Sequence, residues 1–586
     1  MRVSVLPLTW PADFDSLDHK RLETDARTLR YQALGRACRA TGVRDLLVAH
    51  HADDQAETVL MRLANNRLRS GLQAMQPVEW IPECSGIYGV SHSGGFANPL
   101  QHPPIPVENG GVRILRPLLS FDKSRLIATC EQHGVTWVED KTNHLQTYTS
   151  RNAIRHVLKN HKLPAALSIE SLVDVSVHMQ ERVNSHKSRA DRLLRRCFKK
   201  LDLQVGSLLI QFPSFQELLE GAEEPPSSSP SHPFVWTHRH DNNLIDMLTR
   251  SDWNRAKNDA VCLLAQVGQL VSPRENPPLG ELASTVANIW PEFREFEKTE
   301  PSQTDFAGNT TNYCVHGIWW RKWKRLPPCL TRPNNREWLL TRQPLENYRS
   351  GVTPRRIHHP PSLALSFTQV LPGTSASERD DDYHLFDGRW WISITNHTTD
   401  ALTLRHFTEQ DLGRMLPLLH ARRDSPERFI AVALSMLKPA TDRFTLPALF
   451  RRDMATDEET LVGFPTLNVS IGQLGCPKDV CSWRVRYKKL NNEITLRSFS
   501  GLLHFGSGVT HQMIQEELAK FGKKPRRVGG KNGRQVLEED TDSRRRSKKE
   551  KKAASKRRTV PLVPTTESKR RGRSWKTEGG GYNIKW

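Results

Sequence analysis

The stretch His50-His51-Ala52-Asp53-Asp54-Gln55-Ala56-Glu57-Thr58 continues directly from the apolar run Asp45-Leu46-Leu47-Val48-Ala49, and the join between them decides the fold. The run through His51 predicts a strand buried on both faces. The residues after it predict a helix over about Asp53 to Leu68, with Val59, Leu60 and Leu63 turned inward. Two His, two Asp, a Gln and a Glu are too polar for core packing. They fall where a strand hands over to a helix, the edge of an open α/β sheet at which ligands bind. Asp54 and Glu57 are three apart and share one face of the first helical turn. Such a pair can take up Mg²⁺ through oxygen or hold an ammonium group. An N-cap role for Asp53 or Asp54 accounts for one acid, not for the set.

Working outward, Leu22, Ala26, Leu29, Ala33 and Ala37 predict a helix over about Leu17 to Ala40, closed at Thr41-Gly42. Arg2 to Leu8 alternate and read as a short strand. Residues 76–112, rich in Pro, Gly and Ser, read as an inserted loop. Arg113 to Leu119 (RILRPLL) read as another strand, and Asp122 can cap a helix from Lys123 to His133 that Gly134 ends. A further helix starts near Ser150, and helical patterning continues through about 165–220. Strand, helix and strand in this order predict an α/β domain with a parallel, doubly wound sheet.

The chain has 586 residues, with 85 Lys and Arg against 64 Asp and Glu, a net +21. That excess points to a polyanionic partner such as nucleic acid. Residues 521–586 carry 22 Lys and Arg against 7 Asp and Glu, so most of the excess lies in a tail that reads as disordered. A charged fraction of 25% and the lack of an eighteen-residue apolar run exclude a spanning helix. Nine cysteines form no C-x-x-C and predict reduced thiols. No secretory signal or Arg-rich presequence is visible at the start. Glu223 to Pro233 (EEPPSSSPSHP) read as a linker, residues 166–222 as a helical extension, and 234–440 as a mixed middle region. Gly388 to Asn396 have strand character, 407–438 look helical, and 441–520 read as a small β-rich domain. Trp319 to Arg325 mix aromatic and basic residues, as single-strand binders do, although buried Trp with solvated cations explains them equally.

HHADDQAET resembles the signature of tRNA(Ile)-lysidine synthetases, members of the N-type ATP pyrophosphatase (PP-loop) superfamily. Further blocks match in order: Glu23, Ala26, Arg27, Arg30 and Tyr31; ILRPLL (114–119) with Arg125; and WVEDKTNHLQTYTSRNAIR (137–155). Weaker echoes at 385–394, 444–449 and 464–469 suggest a fungal-type version. The resemblance implies a Rossmann-like PP-loop domain over residues 1–165, N-terminally truncated. The family's site opens with an SGGxDS loop whose backbone cradles the ATP pyrophosphate. Here only residues 1–16 precede the first long helix, and the expectation is a start at an internal methionine, with the loop upstream in the true protein. Ser93 to Asn98 (SGGFAN) imitate that loop but have Ala97 where it needs Asp, and read as a decoy.

The resemblance implies ligation of free lysine to C2 of the wobble cytidine of tRNA(Ile), through a base adenylated by ATP with Mg²⁺. By carry-over, Asp54 and Glu57 would recognise lysine or act as base. His50, His51, Asp53, Gln55 and Thr58 would bind substrate, with Asp53 also toward Mg²⁺. Arg116, Arg151, Asn152 and Arg155 would meet phosphate or tRNA. Asp140 and Asn143 would fix a loop by Asx turns. The alternatives are a catalytically inactive tRNA-binding protein and another PP-loop tRNA-modifying enzyme of the thiolase type. The latter is disfavoured because C-x-x-C is missing. The resemblance also implies a mitochondrial location.

Overall fold

The computed structural model of the chain describes residues 3–10, 19–91, 105–108, 110–138, 150–220, 250–274, 279–297, 312–323, 336–343, 365–367, 383–421, 426–437, 440–453, 456, 458–488, 516 and 519. The chain divides into two units, Met1–Ile514 and Gln515–Trp586, and the helices and strands from His19 to Tyr487 belong to the first. The linker at 223–233, the SGGFAN stretch, Asp140, Asn143 and the tail after 521 lie outside the described residues.

The part that bears the HHADDQAET motif is mixed α/β. It runs α1 (His19–Ala40), β1 (Asp45–Leu47), α2 (Ala52–Ala64), β2 (Val78–Trp80), β3 (Arg113–Leu115), α3 (Lys123–Gln132), α4 (Ser150–Asn160) and α5 (Ile169–Arg196). β1 pairs parallel to β3, with Asp45 opposite Arg113 and Leu47 opposite Leu115. β2 pairs antiparallel to β3 on the other side, giving the order β1-β3-β2. Three sequence expectations need correction. Residues 3–10 form no strand and are exposed, since alternation supplies a strand face but not a partner edge. β1 is shorter than its apolar run, and Leu47 is 68% exposed rather than buried on both faces. The insert 76–112 holds β2, which makes the small sheet mixed rather than all parallel.

That insert is also part of the core. Ile81, Cys84 and Val90 pack with Tyr31 and Cys38 of α1 and with Ile114 of β3. The approach is close enough that a Cβ on Gly35 would lie 2.7 Å from Cys84 Sγ and from Val90, so glycine is required there. A second apolar cluster joins Ala56 and Val59 of α2 to Ala74 and Leu172, with Leu60, Leu63, Leu158 and Ile169 against it. The three- and four-residue spacing of the α2 apolar residues therefore does what its period predicts and seats α2 on α5. α3 begins and ends as read: Asp122 accepts the Arg125 N–H at 2.7 Å, and Gly134 follows at φ 62°.

Beyond α5 the expected helical run to 220 is broken by a hairpin, β4 (Phe198–Asp202) with β5 (Ser207–Gln211). β5 continues a five-stranded sheet by pairing with Glu337–Arg342. The apolar stretch 207–212 is a buried strand, and short apolar runs do not tell strand from helix by period. Helices at Glu409–Ala421 and Glu427–Met436 agree with the reading of 407–438. The strands after 441 are not self-contained: Pro447–Arg452 pairs with Ala401–His406, and Cys481–Tyr487 pairs with Trp390–Asn396. The hairpin of the 385–394 echo turns at Asp387 and Gly388, with φ 46° and 60°. Its buried Asp387 meets Arg342 at 3.0 Å and Arg389 at 2.7 Å. Trp320 is fully buried and Trp319 lies under Arg321, so this tract packs in a sheet rather than presenting stacked rings. The eight described cysteines are free. Among the described residues no helix is long and apolar enough to cross a membrane.

Candidate active site

α2 starts where the polar motif predicts. His51 is the N-cap, with φ −124° and ψ −177°, and its N–H donates to Asp54 Oδ2 at 3.1 Å. This reciprocal cap uses one oxygen of Asp54 and fixes its carboxylate at the helix entrance. The Ala52 N–H, one of the orphan donors of the first turn, reaches Phe121 O at 2.9 Å, which docks the turn before α3 on the same spot. Asp53 completes the junction by accepting the Lys123 N–H at 2.8 Å.

The His51 ring lies between two acids, with Nδ1 3.3 Å from Asp53 Oδ2 and Nε2 3.5 Å from Asp54 Oδ2. The contact with Asp53 raises its pKa against burial, and Asp54 adds to the rise. Burial pushes the Asp53 carboxyl up, but His51 and the Lys123 N–H prevail and hold it below its ordinary value. His50 differs. Burial lowers it to about 4, aided by the positive field of Arg116, Arg27 and Arg151, so it is neutral at pH 7.

Glu57 is buried and both its oxygens are taken: Arg155 Nε donates to one at 2.7 Å and Nη2 to the other at 2.9 Å. Arg151 Nε stands 3.7 Å away and Arg155 Nη2 is 3.9 Å from Asp54. Burial keeps the Glu57 carboxyl above its usual value even so, with Arg155 opposing. Gln55 is fixed inside the fold. It donates to Met75 O and Ser176 Oγ, each at 3.0 Å, and accepts from Met75 N. Thr58 donates back to Asp54 O at 2.8 Å. Arg116 turns its guanidinium inward, to Gln76 O at 2.7 Å and Glu79 at 3.1 Å, with its side chain 1% exposed. Gln55, Thr58 and Arg116 are therefore engaged by contacts within the protein.

His51, Asp53, Asp54, Glu57, Asn152 and Arg155 meet around one cavity of about 770 Å³, which His50, Gln55, Thr58, Arg116 and Arg151 do not line. α3 contributes Lys123, Leu126 and Ile127, α4 adds His156 and Lys159, and Trp137 stands at the edge. One end is thus acidic, one wall apolar, and Lys123 and Lys159 bring positive charge. Lys159 is a site residue that the motifs do not single out, and its four-residue step from Arg155 on α4 is the one signal for it. Among the described residues no three His, Cys, Asp or Glu side chains gather as metal ligands. Asp53 and Asp54 provide two carboxylates, a donor set that fits Mg²⁺ when phosphate oxygens complete the shell.

Residues 6–162 match a family model described as a PP-loop domain, so this segment is a PP-loop domain. The chain is 38% identical over 209 residues to a probable tRNA(Ile)-lysidine synthase of Schizosaccharomyces pombe, covering 35% of this chain and 41% of that protein. It is 28% identical over 199 residues to the tRNA(Ile)-lysidine synthase of Wolbachia pipientis, covering 34% and 39%. With that of Novosphingobium aromaticivorans it shares 31% over 183 residues, covering 31% and 44%. The matched segment is similar to tRNA(Ile)-lysidine synthases, one of them fungal, and the chain spans about two fifths of the length of these curated relatives.

Proposed function

We propose that the protein ligates lysine to C2 of the wobble cytidine of tRNA(Ile), using ATP. The observation that carries this is the convergence of separated motif blocks, 50–58 with Lys123 and with 152–155, on one cavity with a carboxylate at its helix-capped end. We read the three strands beside it as part of a Rossmann-like sheet. Lysidine formation demands a site that holds a cationic amine, accepts its proton, and presents it to an activated base. Asp54 is the acid suited to that work. Both acids line the cavity, but Glu57 has both oxygens clamped by Arg155 and serves to hold α2 against α4, whereas Asp54 gives Oδ2 to the His51 cap. His51 and Asp53 order the Asp54 side of the cavity. ATP supplies the adenylate that makes C2 electrophilic, and Mg²⁺ held by Asp53 or Asp54 would neutralise phosphate charge. The experiment is lysidine formation on tRNA(Ile) by the unaltered protein and by Asp54→Asn, with folding checked by circular dichroism. Turnover that is lost with folding kept is expected. Unchanged turnover removes Asp54 from the chemistry. A mitochondrial location is part of this proposal, testable by fractionation.

A further inference from the structure

Two of the arginines expected to meet RNA phosphate are committed to groups of the protein itself. Arg116 holds Gln76 and Glu79, and Arg155 holds Glu57. An RNA substrate that reaches the cavity therefore needs its backbone met elsewhere. α5 offers a place. Its inner face is set by Leu172, Ser176 and Gln180 and then by Ala190, Leu193 and Leu194. His178, Arg182, Ser185, Arg192 and Arg196 recur at four-, three-, seven- and four-residue steps, and so line the opposite face. His178, Arg182, Ser185, Arg195 and Arg196 are exposed.

The charge along this helix is uneven. The first half, Ile169 to Arg182, is acidic, with Glu170, Asp174 and Glu181 against Arg182 alone. In the second half Lys187, Arg189, Arg192, Arg195 and Arg196 stand against Asp191 alone, and Asp191 accepts from Gln266 at 2.6 Å. Arg189 turns aside to Asp259. The helix dipole explains cations in the last turn, Arg195 and Arg196, but does not reach Arg182 or Lys187. At about 1.5 Å per residue, His178 to Arg196 spans roughly 27 Å. The exposed residues from 178 to 196 include no aliphatic side chain and no Phe, Tyr or Trp, so the face lacks the apolar centre of a protein interface. Its position matters too. α5 begins at Ile169, which lines the cavity, and α4 brings Lys159 to the cavity and is followed by the exposed Lys162.

We propose that the outer face of α5, with Lys162 at its approach, carries the RNA phosphate backbone to the cavity. The proposal rests on the RNA-modifying function and adds the surface that function needs. Each phosphate neutralised by a cation contributes about 0.7–0.9 to the slope of log K against log salt. The test uses the whole chain and a tRNA(Ile) transcript, and compares the unaltered protein with K162Q/R182Q/R196Q. Both carry the same basic tail, so the difference isolates α5. The expected result is a slope shallower by about two, with thermal unfolding unchanged. If the triple variant fails to fold, Arg182→Gln alone is expected to lower the slope by about 0.7–0.9. An unchanged slope with intact folding overturns the α5 surface while leaving the functional reading standing. Absence of salt-dependent tRNA binding by the unaltered protein overturns both.

Discussion

Replacing Arg155 by Met strips Glu57 of its bidentate partner while leaving the carboxylate where it is, 3% exposed. A buried ion pair broken from one side costs about 3–5 kcal/mol, because the remaining charge is left without compensation. Two features reduce this. Arg155 is 25% exposed, and Arg151 stands 3.7 Å from Glu57 Oε2. The expected loss is therefore roughly 2–3 kcal/mol at pH 7. The assay is amide hydrogen exchange along α2 and α4, which reads the local opening free energy without requiring the whole chain to unfold in one step. The pH dependence supplies a second check. Burial already raises Glu57 with Arg155 in place, and its removal raises the group further. Below the unfolded carboxyl value of 4.5 both states are protonated and the penalty vanishes. The gap between variant and parent should open as pH climbs above that value. In the double variant E57Q/R155M much of the loss should be recovered, since no charge remains buried. Protection in R155M equal to the parent, or a deficit that ignores pH, would refute the reasoning.

Asp53→Ala removes the acceptor for the Lys123 N–H and should speed exchange in the first turn of α3 by about 1 kcal/mol of local stability. His50, held near 4, refuses a proton that the unfolded chain takes, so the parent should lose stability as pH falls from about 6.5 toward 4. His50→Asn should flatten that limb by about 1–2 kcal/mol after allowance for partial exposure, read from thermal unfolding against pH. For Asp387, burial is overcome by Arg389 and Arg342, which bring its carboxyl down to about 2, so its contribution is present above the unfolded carboxyl range and is lost as pH falls toward 2. Asp387→Asn leaves two buried guanidinium groups without their anion and should cost about 3–5 kcal/mol near pH 7, measured by chemical denaturation.

What the sequence disclosed depended on whether the cause was local. Caps and periods are local, so α1, the Asp122 cap of α3 and the start of α2 could be read from neighbouring residues. The parallel pairing of β1 with β3 followed from strand, helix and strand in order. Pairings set at long range could not be read this way. β2 lies within a Pro- and Gly-rich insert, and its strand exists because β3 offers an edge. The 198–211 hairpin is completed by Glu337–Arg342, far along the chain. In the site, residue types showed that 50–58 carries chemistry, but not how it is divided. Glu57 and Asp54 look equivalent in sequence and both line the cavity, and only the partner on α4, ninety-eight residues away, marks Glu57 as the clamped acid. Arg116 resembled a phosphate ligand for the same reason, since nothing nearby in the chain indicates that its guanidinium turns inward to Gln76.

The central claim is that Asp54 works on the lysine amine in the cavity. Mass spectrometry of nucleosides from tRNA(Ile) incubated with ATP, lysine and either the unaltered protein or Asp54→Asn tests it most directly. Lysidine from the former, and none from a folded, tRNA-binding Asp54→Asn protein, is the predicted result. Equal lysidine from both, or none from either, would contradict it.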